Sequence, residues 1–178
     1  MKKKKRRNVD FINAGSVVNV QVINRKQADI VIQVVDSRGK LQRLRGLLDT
    51  GCTKSIFLEE YLDNSKMMQT KEGVTFKTYD GEFTAKKKNR CTFRLPEFDT
   101  HKKVTFDVVS DDLHLRQESP YDAIIGLDIM GVLGMDIQFS DKTIRWDGET
   151  ISMKESGSYR SRKAMEAAYK LATRQGVP

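Results

Sequence analysis

Leu47-Leu48-Asp49-Thr50-Gly51 ends an apolar run on a carboxylate, a hydroxyl and a glycine. An apolar strand that stops on aspartate sets the carboxylate beside a core, where desolvation can shift its pKa. Gly51 lets the backbone approach closely enough for its N–H to reach that carboxylate. About 75 residues later Ala123-Ile124-Ile125-Gly126 repeats the apolar-apolar-glycine half of the pattern. Alone, Asp-X-Gly is a common turn, so the weight of the reading rests on what surrounds it.

Working outward, residues 17–23 and 29–35 are runs rich in β-branched residues that read as strands. Ser37-Arg38-Gly39-Lys40 makes a hairpin turn, and residues 41–48 return as a strand that runs into Asp49. Residues 53–63 read as a strand with a short helix after it, the boundary left open. Two alternating runs, 74–79 and 82–86, flank Asp80-Gly81, a strong hairpin signal. Residues 90–95 and 103–109 are two further strands, the first stopped by Pro96. Past the polar connection 110–119, residues 121–126 form a buried strand ending on glycine. A short helix follows over 128–133, with Asp128 at or near its N-cap and Gly134 ending it. Residues 135–139 and 143–146 pair as a hairpin, and Asp147-Gly148 turns into 150–153. About ten short strands at close intervals predict an all-β barrel-like or sandwich fold. Ala164, Met165, Ala168, Leu171 and Ala172 then fall at helical spacing. That helix either packs on the body or begins a following domain.

The 178 residues carry a net charge of +8, which suggests a polyanion partner until it is mapped. Residues 2–7 supply +6, residues 158–178 supply +4, and residues 8–157 sum to −2. The basicity lies in the tails, as a solvated end, a localisation signal or a weak nucleic-acid contact. The body lacks the basic face and clustered aromatics of a nucleic-acid platform. No apolar run reaches membrane-spanning length, and no secretory signal is recognisable. Cys52 and Cys91 form no disulfide framework and imply a reducing compartment. His101 and His114 have no metal-ligand spacing to them, so neither a metal nor a cofactor is expected.

Peptide hydrolysis by carboxylates takes two of them sharing one proton, one as base on a water molecule and one as acid toward the carbonyl. This chain has a single Asp-Thr-Gly. A two-carboxylate site therefore needs either a second, unmarked acid or a symmetric dimer that sets Asp49 against its own copy. Cys52 follows the motif with no histidine near it in sequence, and reads as a small apolar residue rather than a nucleophile.

Leu47 to Cys52, the hairpin around Asp80-Gly81-Glu82-Phe83, and Tyr121-Asp122-Ala123-Ile124-Ile125-Gly126-Leu127-Asp128 together resemble the retroviral-type aspartic proteases, or retropepsins. The likeness is greatest to those of long-terminal-repeat retrotransposons and extends through residues 130–148. It implies a closed barrel-like all-β fold with one short helix over residues 17–153. A basic arm (1–16) would precede this domain, and a linker with a basic helical tail (154–178) would follow it. It also implies an aspartic endopeptidase processing a retroelement polyprotein as a homodimer, with Asp49 as the catalytic aspartate. Thr50 would brace the two loops across the axis and Gly51 would line the cleft. Thr78, Tyr79, Asp80, Gly81, Glu82 and Phe83 would form a flap over a polypeptide substrate, and Ile124, Ile125 and Gly126 would support the loop. The expected location is cytoplasmic, with nuclear entry open to the basic run. Two positions depart from the family: Leu127 stands where many members carry arginine, and Glu82 makes the flap tip less glycine-rich. The rival reading is an inactive retropepsin-fold module that dimerises or binds.

Overall fold

The computed structural model describes residues 12–13, 16–17, 26–36, 38–78, 81–111 and 120–174. Within them the chain is mostly β, with two α-helices. Its strands are β1 (Ile12–Asn13), β2 (Ser16–Val17), β3 (Lys26–Gln27), β4 (Asp29–Val35), β5 (Leu41–Leu48), β6 (Ile56–Leu58) and β7 (Met67–Thr78). They continue as β8 (Gly81–Arg94), β9 (Val104–Asp111), β10 (Ala123–Ile125), β11 (Asp136–Gln138), β12 (Thr143–Trp146), β13 (Glu149–Ser152) and β14 (Lys154–Glu155). The helices are α1 (Leu127–Leu133) and α2 (Arg162–Arg174).

Six strands close into a ring in the order β4-β5-β10-β6-β9-β8, with β8 pairing back onto β4. Closure removes the free strand edges of an open sheet. Among the described residues β7 joins only β8 and extends with it as a long hairpin. The expected all-β barrel with a short helix and a helical tail is therefore present. β10 is inserted between β5 and β6, parallel to the first and antiparallel to the second.

Alternation along β4 explains why it sits in the wall. Ile30, Ile32 and Val34 join the main core with Leu44, Phe57, Phe93 and Ile125. Val31 points the other way and is buried by Tyr159, Met165 and Tyr169. Helix α2 thus packs on the body. The buried Glu97 carboxylate fastens this segment, accepting from the Val31 backbone N–H (2.7 Å) and the Tyr159 hydroxyl (3.1 Å) and pairing with Lys154 (2.7 Å). Burying that charge is tolerated because each oxygen has a donor.

Three local expectations change. Residues 82–86 and 90–95 are not separate strands, since β8 runs unbroken over 14 residues. The polar stretch between them stays in the ladder because Lys87 pairs with Glu59 and the Asn89 side chain donates to the Asp63 carbonyl (2.8 Å). Gly81 is a strand residue paired with Thr78 and not part of a turn, and Tyr79 and Asp80 lie outside the described residues. Helix α1 is capped by Gly126, not Asp128, which stands in its first turn with its carboxylate on the Ile129 N–H (2.9 Å) and on Ser55. Of the strand expected at 17–23, Val17 pairs with Ile12 and residues 18–23 lie outside the described residues.

Candidate functional site

β5 and β10 run parallel in the register Gly46 to Ala123, Leu47 to Ile124 and Leu48 to Ile125. Both strands end at the same level, so Asp49 and Gly126 emerge side by side. The Asp49 N–H continues the ladder by donating to the Ile125 carbonyl (3.0 Å). The chain then turns: Cys52 N–H donates to the Asp49 carbonyl (3.1 Å), and Gly51 N–H donates to Asp49 Oδ1 (2.8 Å). Asp49 is half-buried while Thr50 and Gly51 are exposed. The second carboxylate oxygen of Asp49 has no partner among the described residues. The loop therefore presents a carboxylate held at one oxygen and open at the other.

Gly126 supports this loop by close approach. A Cβ there would lie 2.6 Å from the Cys52 carbonyl oxygen and 3.0 Å from the Lys54 carbonyl carbon, both backbone atoms that cannot step aside. The Leu127 N–H donates to that same Cys52 oxygen (2.8 Å). Ser55, fully buried, ties the far end: its hydroxyl donates to Asp128 (2.7 Å) and accepts from the Gly126 N–H (2.9 Å). Ser55 and the bracing role of Asp128 were not legible in the sequence. A serine six residues after the aspartate and an acid two after the glycine carry no motif without the fold.

Ile124 and Ile125 face opposite ways, as strand alternation requires. Ile125 enters the main core. Ile124, half-buried, packs with Ile56, Leu58, Ala85 and Val109 in a second apolar cluster. Phe76 and Phe83 from the β7–β8 hairpin join it, their rings stacked 5.1 Å apart. The hairpin is thus joined, two register positions from the Thr78–Gly81 pair, to the strand beside Asp49, while Glu82 is exposed and Tyr79 and Asp80 lie outside the described residues. Leu127 is 47% exposed next to the Asp49 loop.

Cys52 donates its thiol to the Lys54 carbonyl (2.9 Å). Burial pushes its pKa up, helped by the nearby charges of Asp49 and Asp128, so it stays a thiol at neutral pH. Among the described residues no three His, Cys, Asp or Glu side chains gather as a metal site would need. Nor is any described helix long and apolar enough to cross a membrane. One carboxylate cannot be acid and base in the same step, so the Asp49 loop by itself offers at most one member of a general acid–base pair.

No family model matches the chain, and no curated protein matches it in sequence. Among solved structures it is similar to the retroviral protease-like domain of Ddi1 from Leishmania major. Identity is 12% and the TM-score 0.44, over 74% of this chain and 94% of that one.

Proposed function

We propose that this chain is one half of a retropepsin-type aspartic endopeptidase that processes a retroelement polyprotein as a homodimer. One observation carries the reading. The Asp49-Thr50-Gly51 loop is seated on Gly126 at the joint end of two parallel strands, with one carboxylate oxygen unpartnered.

Asp49 faces its symmetry copy across a two-fold axis. Two carboxylates in contact share one proton, so one can act as acid while the other acts as base. The ionised member takes a proton from water, which attacks the scissile carbonyl carbon. The protonated member gives its proton to the carbonyl oxygen. The aspartate that took the proton from water then gives it to the amide nitrogen, while the other takes a proton from a hydroxyl of the tetrahedral intermediate; the C–N bond breaks and the pair again holds one proton. Thr50 hydrogen-bonds across the axis and Gly51 borders the cleft. The hairpin from Thr78 to Phe83 closes over an extended substrate and excludes water. Ile124, Phe76 and Phe83 supply an apolar wall, so an apolar side chain next to the cleaved bond is favoured. Leu127 gives the dimer contact apolar burial where relatives use an arginine. The basic residues at both ends add a weak, salt-sensitive contact to nucleic acid. The expected setting is cytoplasmic, with nuclear entry through the basic run.

The test compares the chain with Asp49→Asn on a denatured polypeptide at mildly acidic pH. Cleavage should vanish in the variant, and specific activity should fall on dilution as dimers dissociate. Equal cleavage by both, or none by a verified dimer of the unaltered chain, favours the inactive binding module instead.

A further inference from the structure

Alternation along β8 sorts its charges onto one face. Ala85, Asn89, Cys91 and Phe93 are buried, while Lys86, Arg90 and Thr92 are exposed and Lys88 and Arg94 are half-buried. Side chains two apart on a strand share a face, so Lys86, Lys88, Arg90, Thr92 and Arg94 form one row. Lys87, on the other face, is paired with Glu59 (2.9 Å). The row spans about 27 Å, with about 6.7 Å between successive members. β9 widens it: Thr105 stands across from Thr92 and Asp107 across from Arg90. Lys103, one residue before the Val104 that pairs with Phe93, stands beside Arg94.

Most of this charge is not neutralised by protein. The side chains of Lys86, Lys88, Arg94 and Lys103 have no ion-pair or hydrogen-bond partner among the described residues. Arg90 pairs with Asp107 (3.2 Å), and Glu72 stands in the β7 bulge across from Lys86. Five cations therefore face two acids. Glu82, nearer the end of the hairpin, stands across from Lys77. The Thr92 and Thr105 hydroxyls bond each other (2.8 Å), which leaves one of their two protons for a ligand. Net charge concealed this basic face, because the −2 of residues 8–157 takes no account of which side of a strand each charge is on.

We propose that this row is a docking surface for the phosphate backbone of a nucleic-acid strand. The cations lie along a line that an extended backbone can follow, phosphate by phosphate. An extended acidic peptide fits less well. Such a peptide docks by adding to a free strand edge, and at residues 87–89 both edges of β8 are taken, by β7 and by β9. A ligand that carries its charge on its own backbone needs no such edge. None of the row's members is aromatic, so the contact is indifferent to base sequence and sensitive to salt. The surface shares no residue with the basic arm or the Asp49 loop, and it does not rest on the proteolytic reading.

The test follows the fluorescence anisotropy of a labelled oligouridine of about 20 nucleotides over a salt series, with the full chain and two variants of it. Lys88→Gln/Lys103→Gln removes two cations of the row. Lys142→Gln/Arg145→Gln removes the same charge from exposed positions at β12, outside the row. The basic arm is present in all three proteins, so its contribution cancels. Each contact to a single strand adds about 0.7 to the slope of log affinity against log salt, so the row variant should lose about 1.4 of slope and bind about twentyfold more weakly near 0.1 M salt. The β12 variant should keep its slope to within about 0.5. The proposal is overturned if the two variants weaken alike or if neither weakens. It is also overturned if poly-glutamate of equal charge displaces the oligouridine more readily than unlabelled oligouridine does, which would assign the face to an acidic protein.

Discussion

The Asp122 carboxylate holds Arg45 at three points. It accepts from the Arg45 backbone N–H (2.8 Å), from Nε (3.0 Å) and from Nη2 (2.6 Å), and it is 1% exposed. The Asp122 N–H donates back to the Arg45 carbonyl (2.9 Å). This fork locks β5 to β10 four residues before Asp49, and Arg162 of α2 approaches the same carboxylate at 3.8 Å. Arg162 also stacks on the ring of Tyr61 and bonds its hydroxyl, so the tail helix reaches the strands that carry the candidate site.

Removing one member of such a buried pair strands the other. Asp122→Ala should lower stability by about 3 kcal/mol in urea unfolding, the low end for buried pairs because the Arg45 side chain keeps some solvent contact. The apolar double replacement Arg45→Met/Asp122→Leu should recover most of that loss. A change under about 0.5 kcal/mol in Asp122→Ala would remove the clamp from the account.

Two glycines in neighbouring positions should respond oppositely. Gly126→Ala drives a Cβ into the backbone of residues 52–54 and should displace the Asp49 loop, abolishing cleavage and lowering stability. Gly131→Ala lies in α1 with nothing within 4 Å of the new methyl. It should be neutral or stabilise by about 0.4–1 kcal/mol. Thermal melts and peptide cleavage on both variants check the contrast.

Helix α2 belongs to the folded unit through Met165, which is 0% exposed against Val31 and Tyr159. Met165→Ala should cost about 2–5 kcal/mol and lower Tm by several degrees. A melt unchanged within a degree would mean that the helix is not docked in solution.

Asp29 is 1% exposed, and burial raises its pKa above 3.8 although the Tyr121 hydroxyl (2.6 Å) and Lys154 oppose the shift. A carboxyl whose folded pKa is raised binds more protons folded than unfolded, so its ionisation destabilises as pH climbs from 3.8 through the folded value. Below 3.8 both states are protonated and the penalty vanishes. Asp29→Asn should therefore be more stabilising, relative to the unaltered chain, at pH 7 than at pH 3 when the two are compared in urea. The reverse ordering would contradict the assignment.

The strands flanking Asp49 and Gly126 were readable because alternation and apolar runs are local signals, set by neighbours two or four residues apart. The same holds for the β7–β8 hairpin, although its register was misread, since pairing and not composition decides which residues form the connection. The polar run at residues 87–89 was read as a break for a similar reason. Its place in β8 depends on Asp63 and Glu59, more than 25 residues away in sequence. Bracing of the candidate loop was the least legible part. Ser55 with Asp128, and Arg45 with Asp122, are contacts over 73 and 77 residues, created only when β10 inserts between β5 and β6.

From its own letters the chain determined that one carboxylate would stand at the end of an apolar strand, with a glycine close behind it. The tertiary structure decided what holds that carboxylate. A hydrogen bond or a steric limit acts over a few ångströms, and residues so far apart in sequence come within that range only once the barrel closes.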